Sequence, residues 1–271
     1  MTIVLVTLVD PSLHTPMYFF LRNLSAIEIC YTLVIIPKML VNFLAKSHKI
    51  TLTGCATHMY FFIALGTSEC FLLAVMAYDR YVAICNPLRY TLIMSRPLCL
   101  ELLVVVCACG FLLSLGLAVL IFRLPFCHSH EINHFFCDIP PVLELACSDT
   151  HADEILVFVS CLLALLVPFL LILASYMLVV ASVLCIRSAQ GCRKAFSTCA
   201  AHLVVAVLHY GCAIFIYIRP KASYALEQDK VVSLIYTNVT PMLYPVIYSL
   251  RNREVKGAVL KVLGRKIFHW S

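Results

Sequence analysis

Long runs of apolar residues, nearly free of charge, constrain this chain more than any other feature of its sequence. A helix needs about 20 apolar residues to cross the hydrocarbon core of a bilayer, which is about 30 Å thick. Hydrophobic residues make up 62% of the chain and charged residues 13%, unlike a soluble domain. Six runs are long enough, at residues 18–44, 56–78, 98–122, 155–186, 195–218 and 231–250. The sequence therefore predicts an all-α membrane protein.

A seventh apolar run, residues 1–9, is too short to cross a bilayer alone. At about 1.5 Å per residue it would rise only roughly 14 Å. A cleaved signal peptide is the alternative, but the run lacks a basic start and a small-residue cleavage site. We interpret it as the end of a first helix whose beginning is missing. The prediction is then a single domain over 1–271, a seven-transmembrane helix bundle with an incomplete first helix.

The distribution of basic residues predicts the orientation of this bundle. If the chain crosses the membrane at each run, one face collects 13 of the 20 Lys and Arg residues, among them Arg80 and those after residue 250. The other face carries a long, acid-rich loop at 123–154. Cytoplasmic loops hold the excess of Lys and Arg. We therefore expect Arg80 and the C-terminus in the cytoplasm, and we attribute the net charge of +6 to membrane orientation and not to nucleic-acid binding.

The chain becomes basic after residue 250, and apolar residues recur there at near-helical spacing. This pattern is typical of an amphipathic helix that lies on the inner leaflet. We expect such a helix at 251–264, the alternative being a frayed basic tail.

Most of the 15 cysteines lie inside apolar runs, where Cys behaves as a small hydrophobic residue. Four lie on the expected outer face, at Cys55, Cys127, Cys137 and Cys147. The exterior is oxidising, so disulfides can form there, and spacing alone leaves three connectivities open. Three histidines in the same loop, His128, His130 and His134, raise a zinc or copper site as the alternative. Oxidised cysteines cannot bind a metal as thiolates, so we favour disulfides.

Five short strings, spread from the first loop to the last run, are more specific than composition. They are LHTPMYFF at 13–20, PKML at 37–40, MAYDRYVAIC at 76–85, KAFSTC at 194–199 and PMLYPVIYSLRN at 241–252. Together, and in this order, they resemble the signatures of olfactory receptors, a family of rhodopsin-like G-protein-coupled receptors. The resemblance covers essentially the whole chain.

The resemblance implies a plasma-membrane receptor, and not an enzyme, that binds small volatile odorants and activates a stimulatory G protein, raising cyclic AMP. It places the odorant among the outer halves of helices three, five, six and seven. The pocket residues that it implies are Phe62, Gly66, Thr67, Ser160, Ala164, Tyr210, Ala213, Tyr217, Leu234 and Thr237. The residues that it implies for G-protein coupling and activation are Asp79, Arg80, Tyr81, Tyr176, Tyr244 and Tyr248.

The resemblance also implies how the outer cysteines pair, with Cys55 bonded to Cys137 and Cys127 to Cys147. Two acids inside apolar runs, Glu28 and Glu69, would lie near each other below the ligand. Two close carboxylates in a medium of low dielectric constant are poorly tolerated when both are charged. We expect either a proton or a cation such as sodium between them, the alternative being two neutral acids that bond to neighbouring hydroxyls.

The sequence departs from the family pattern in two places. Tyr244 stands where the family has asparagine before Pro245, which puts basal activity and coupling in question. The outer tail and outer half of the first helix are absent, so a truncated, non-signalling receptor product is the main alternative function. A transporter would show internal repeats and broken helices, and an enzyme would show a convergent nucleophile or metal cluster. We find neither pattern in the sequence.

Overall fold

The computed structural model describes residues 2–10, 13–44, 51–126, 136–184, 189–218, 231–239 and 257, with only the backbone for 189–199 and a few other positions. These residues are almost entirely helical, and their one β-bridge joins Phe126 to Ala146. The main helices are α1 (Thr2–Val9), α2 (Pro16–Leu44), α3 (Leu52–Cys85), α4 (Arg96–Phe122), α5 (His151–Leu184), α6 (Ala189–Tyr217) and α7 (231–239). Short helical turns lie at Pro87–Arg89, Tyr90–Ile93 and Ile139–Leu143.

Four of these helices are long and apolar enough to cross a membrane. The qualifying spans are Pro16–Asn42, Leu52–Cys85, Arg96–Phe122 and His151–Leu184, with mean hydropathies of 1.8, 1.8, 2.8 and 3.1. A shorter apolar span, His202–Tyr217, lies within α6. Each of the seven main helices overlaps one of the predicted apolar runs.

The helices extend beyond the predicted runs by a few residues, most clearly in α3. This helix begins at Leu52 instead of 56, since the Thr51 side chain caps it by accepting a hydrogen bond from the Gly54 N–H at 3.0 Å. It continues past 78 to Cys85 and ends before Pro87, because proline disfavours helical geometry in the residue before it. Capping residues and prolines therefore determine where the helix ends, whereas the apolar run marks only the segment that lies in the hydrocarbon layer.

Helix α3 is the centre of the bundle. In its most apolar window 67% of the residues are buried, against 28–33% in the other three spanning helices. It packs against α2, α4, α5 and α6. The other helices expose Leu and Val side chains on their outward faces, as expected for surfaces that contact lipid.

Small residues bring α3 and α4 into close contact. A Cβ atom built on Gly110 would lie only 2.7 Å from the Ala64 carbonyl oxygen and would also overlap the Ser68 hydroxyl. One turn along, the Ser114 hydroxyl donates to the Tyr60 carbonyl at 2.5 Å. Small and hydroxylated residues are the usual means by which membrane helices approach closely.

A disulfide between Cys55 and Cys137 ties the loop before α5 to the start of α3. This confirms the first predicted pair, and it removes Cys137 from any zinc or copper site. Cys147 is also disulfide-bonded, but Cys127, its expected partner, and the three loop histidines lie outside the described residues. We call this end of the bundle the disulfide end and the opposite one the Arg80 end.

Two other predictions fall largely outside the described residues. The expected amphipathic helix at 251–264 is described only at Gly257, which is helical. The seventh helix is described only over 231–239, where a turn of π-helix occupies Ile235–Val239.

Candidate ligand cavity and signalling residues

A cavity of about 50 Å³ lies between the helices near the disulfide end. Its walls come from α3, α4, α5, α6, α7 and the turn Ile139–Leu143. The lining residues are Phe62, Ile63, Gly66, Thr67, Cys70, Leu113, Leu117, Ile139, Cys161, Ala164, Leu165, Ala213, Tyr217 and Tyr236. An apolar wall with a few polar groups is typical of sites for small organic molecules.

Six of the ten predicted pocket residues line this cavity, namely Phe62, Gly66, Thr67, Ala164, Ala213 and Tyr217. The other four do not. Tyr210 is fully buried and donates to the Cys70 carbonyl at 2.6 Å, and Thr237 is fully buried and donates to the Ser233 carbonyl at 2.6 Å. Ser160 and Leu234 are only partly buried and lie outside the lining.

The loop after Cys137 covers one side of the cavity. Ile139 lines the cavity, and Asp138 accepts hydrogen bonds from the Ile139 N–H at 2.7 Å and from the Tyr217 hydroxyl at 3.0 Å. Burial raises the pKa of Asp138 to about 6, an increase that these two hydrogen bonds limit. Asp138 therefore joins the covering loop to α6, a role that its sequence context does not signal.

A polar cluster lies next to the cavity, on the side towards the Arg80 end. Glu28 on α2 and Glu69 on α3 are 5% and 1% exposed, and the Oε1 atom of each lacks a hydrogen-bond partner within the described residues. The other Glu69 oxygen, Oε2, is 3.8 Å from Nδ1 of His209 on α6. Nε2 of the same imidazole is 3.2 Å from the Cys70 sulfur. This histidine connects α6 to two successive residues of α3.

At the Arg80 end, an acidic side chain is held from two sides. The Arg80 guanidinium forms an ion pair with Asp79 at 2.7 Å. The Tyr90 hydroxyl, on the turn Tyr90–Ile93, donates to the other oxygen of Asp79 at 2.8 Å. Asp79 is 1% exposed, so both contacts are shielded from water. Tyr81, the third residue of the motif, is half-buried and packs against the core.

A family model for the olfactory receptors matches residues 1–266. Olfactory receptor 10Q1 of Homo sapiens is 52% identical over 265 residues, covering 97% of this chain and 83% of the relative. Olfactory receptor 10K2 of the same species is 50% identical over 258 residues, covering 95% and 83%. The chain belongs to the olfactory receptor family.

Membership confirms the predicted fold class and function. The receptor is a multi-pass plasma-membrane protein with a seven-transmembrane helical bundle, and it senses odorants and couples to a G protein. It belongs to a family of signalling receptors.

A side-chain contact links α5 to α6 near the Arg80 end of the receptor. The Tyr176 hydroxyl lies 2.5 Å from Nδ1 of His202, and both side chains are buried. The other tyrosines expected to take part in activation, Tyr244 and Tyr248, lie outside the described residues.

Several lining residues of the receptor cavity were not predicted from the sequence. Leu113 and Leu117 come from α4, which the family resemblance had not placed at the pocket. Tyr236 comes from the π-helical turn of α7 and packs edge-on against Tyr31 with ring centroids 6.4 Å apart. The close approach of α4 could have been predicted from the small residues Gly110 and Ser114.

Proposed function

We propose that small volatile odorants bind in the cavity beneath Ile139 and that the occupied receptor activates a stimulatory G protein, which raises cyclic AMP. The observation that carries this proposal is the cavity itself, which lies among α3 to α7 under a loop tied down by a disulfide. The disulfide end then faces the exterior, and the Arg80 end and the C-terminus face the cytoplasm. The excess of Lys and Arg on the Arg80 side supports this orientation.

The cavity lining favours recognition by shape, with little polar anchoring. Phe62, Ala164 and Ala213 are apolar, and the hydroxyls of Thr67 and Tyr217 are the available polar contacts among the six predicted lining residues. Tyr217 already donates to Asp138, so an odorant would meet its oxygen as an acceptor or would compete with the loop. A volume of about 50 Å³ holds only a few water-sized spheres, so an odorant requires these side chains to move apart.

The contacts at the Arg80 end support a resting state. While Asp79 holds the Arg80 guanidinium, that group is not available to a G protein. The Tyr176 contact with His202 holds the inner parts of α5 and α6 together. Outward movement of α6 would break the second contact and open the space beside Arg80, which is the kind of two-state change that receptors use.

We also propose that a sodium ion binds between Glu28 and Glu69. Both carboxylates are buried and each leaves one oxygen without a hydrogen bond within the described part of the chain. Oxygen ligands suit a hard cation, and a cation removes the repulsion between two close carboxylates. Sodium would then stabilise the resting arrangement of α2 against α3.

The test is an odorant-evoked cyclic-AMP assay with two variants and two matched controls. Ala164→Phe fills the cavity and should reduce odorant potency by about five- to 150-fold, because overpacking costs about 1–3 kcal/mol. Ala174→Phe makes the same change on the exposed face of α5 and should leave potency unchanged. Arg80→Ala should abolish the response, whereas Arg89→Ala, at an exposed position of the turn Pro87–Arg89, should retain it.

Two results would contradict the proposal. If Ala164→Phe and Ala174→Phe respond alike at equal surface expression, the cavity is not the odorant site. If a broad odorant panel raises no cyclic AMP in cells that contain the stimulatory G protein, the coupling is different.

A further inference from the structure

A second cavity among the described residues has no role in the proposed function. It has a volume of about 270 Å³ and lies at the Arg80 end, between the end of α1, the start of α2 and the start of α4. This volume is just below the range of about 300–1,000 Å³ for drug-sized ligands, so it fits a compact group. Its polar lining includes His14, Thr15, Arg22 and Arg96.

The cavity is strongly suited to an anion. Arg22 and Arg96 line it, and neither forms an ion pair with a carboxylate of the described residues. No Asp or Glu occurs among the described lining residues. The Arg22 guanidinium lies 5.5 Å from the centre of the Phe19 ring, which holds it at the cavity while leaving its N–H donors available.

Two long helices also begin at this cavity. The first turns of α2 and α4, which start at Pro16 and Arg96, both contribute to the lining. The N-terminal end of a helix carries a partial positive charge and unpaired N–H groups. At α4 the preceding residue, Ser95, does not cap these groups with its side chain. Two helix starts and two guanidinium groups therefore converge on one space.

An apolar face adjoins this space and points to the origin of the anion. Leu100, one helical turn after Arg96, lines the cavity and is 54% exposed, and Val104, one turn further, is 65% exposed. These side chains form a continuous apolar stripe on α4 that runs from the cavity towards the middle of the membrane. A molecule with a charged head and an apolar tail matches both surfaces at once.

We propose that this cavity binds the phosphorylated headgroup of an anionic lipid of the inner leaflet, with the acyl chains along Leu100 and Val104. The orientation comes from the proposed function, which places the Arg80 end at the inner leaflet. Guanidinium groups bind phosphate oxygens through paired N–H donors, and basic pockets between helices at this level bind phosphoinositide headgroups. The lipid joins α1, α2 and α4 and stabilises the receptor independently of an odorant.

The experiment measures lipid binding to the purified full-length receptor by native mass spectrometry after reconstitution with phosphatidylcholine and a few per cent phosphatidylinositol bisphosphate. Arg22→Gln and Arg96→Gln should each weaken binding about fivefold, the loss expected for one basic residue at an anionic surface. Arg89→Gln removes an equal charge at the same end, outside the cavity, and should change binding less than about twofold. Arg96→Lys keeps the charge without the paired donors and should fall between.

Two further ligands separate the sources of the phosphate. Phosphatidylserine at equal total charge should not replace the bisphosphate lipid, and soluble inositol trisphosphate should bind much more weakly, since it lacks the acyl chains. Equal binding of the bisphosphate lipid by wild type and both Gln variants would overturn the proposal. Equal affinity for soluble inositol trisphosphate would overturn the lipid assignment.

The lipid-binding experiment uses neither odorant nor G protein. Failure of the lipid proposal is therefore distinguishable from failure of the proposed function. A receptor that responds to odorants but lacks selective lipid binding would contradict only this inference. Selective lipid binding without an odorant response would contradict only the proposed function.

Discussion

Removal of the Tyr90 hydroxyl should raise the ligand-free activity of the receptor. In the Tyr90→Phe variant Asp79 keeps its ion pair with Arg80 but loses the hydrogen bond of 2.8 Å from Tyr90. Because Asp79 is buried, water cannot easily replace this donor. The resting state loses stability, and the proposed active state, in which Asp79 and Arg80 separate, loses less.

The magnitude follows from the charge and exposure of the contact. A hydrogen bond to a charged group contributes about 1.5–3 kcal/mol, and we take the lower end because Tyr90 is itself only half-buried. About 1.4 kcal/mol corresponds to a tenfold change in an equilibrium constant. If the active state has a resting population of about 1%, a typical value for a minor state, it rises to about 10%.

The measurement is ligand-free cyclic AMP, normalised to receptor at the cell surface. Tyr78→Phe is the matched control, since Tyr78 lies beside Asp79 on α3, is exposed, and its hydroxyl makes no hydrogen bond with a described residue. In an Asp79→Asn background the Tyr90→Phe change should add little, because its partner charge is already gone. Basal activity equal to wild type at equal surface expression would refute the reasoning, as would a full additional increase in the Asp79→Asn background.

Three other changes test the fold. Gly110→Ala should lower the free energy of unfolding of the purified receptor by about 1–3 kcal/mol, through overlap with Ala64 and Ser68, whereas Gly116→Ala, with no atom within 4 Å of the new Cβ, should not. The pKa of Asp138 is raised to about 6, so the folded state holds this proton more tightly than the unfolded chain and stability falls as pH rises from about 4 to 6. Asp138→Asn should therefore reduce the decrease in melting temperature over that interval, and an unchanged decrease would contradict the assignment. Cys55→Ser should cost about 2–5 kcal/mol and reduce surface expression, measured by surface labelling, while replacement of an exposed free cysteine, Cys109→Ser, should have little effect.

The helices that must match the apolar thickness of the membrane could be predicted from the sequence. Apolar length located every described long helix, because a lipid-facing surface and a spanning length leave little choice of structure. The ends of α3 required a different signal, namely the Thr51 cap and Pro87. The Cys55–Cys137 disulfide followed from family resemblance, since spacing alone allowed three connectivities.

The cavity could be predicted only in part, because two features of its wall depend on packing. In α7 the π-helical turn Ile235–Val239 adds a residue to one turn, which changes the face that each side chain presents. Tyr236 lines the cavity, whereas Leu234 and Thr237 do not. On α4, Leu117 reaches the cavity from a helix held close to α3.

The small volume of the cavity proposed to bind odorants has a consequence for sensitivity. If the cavity is wide enough for an odorant only part of the time, the apparent affinity of every odorant equals its intrinsic affinity multiplied by that fraction of time. A substitution that only favours the enlarged form would then lower the threshold for all odorants by a common factor and leave their rank order intact. Tuning breadth and absolute sensitivity would thus be separable properties of this receptor, set by different residues.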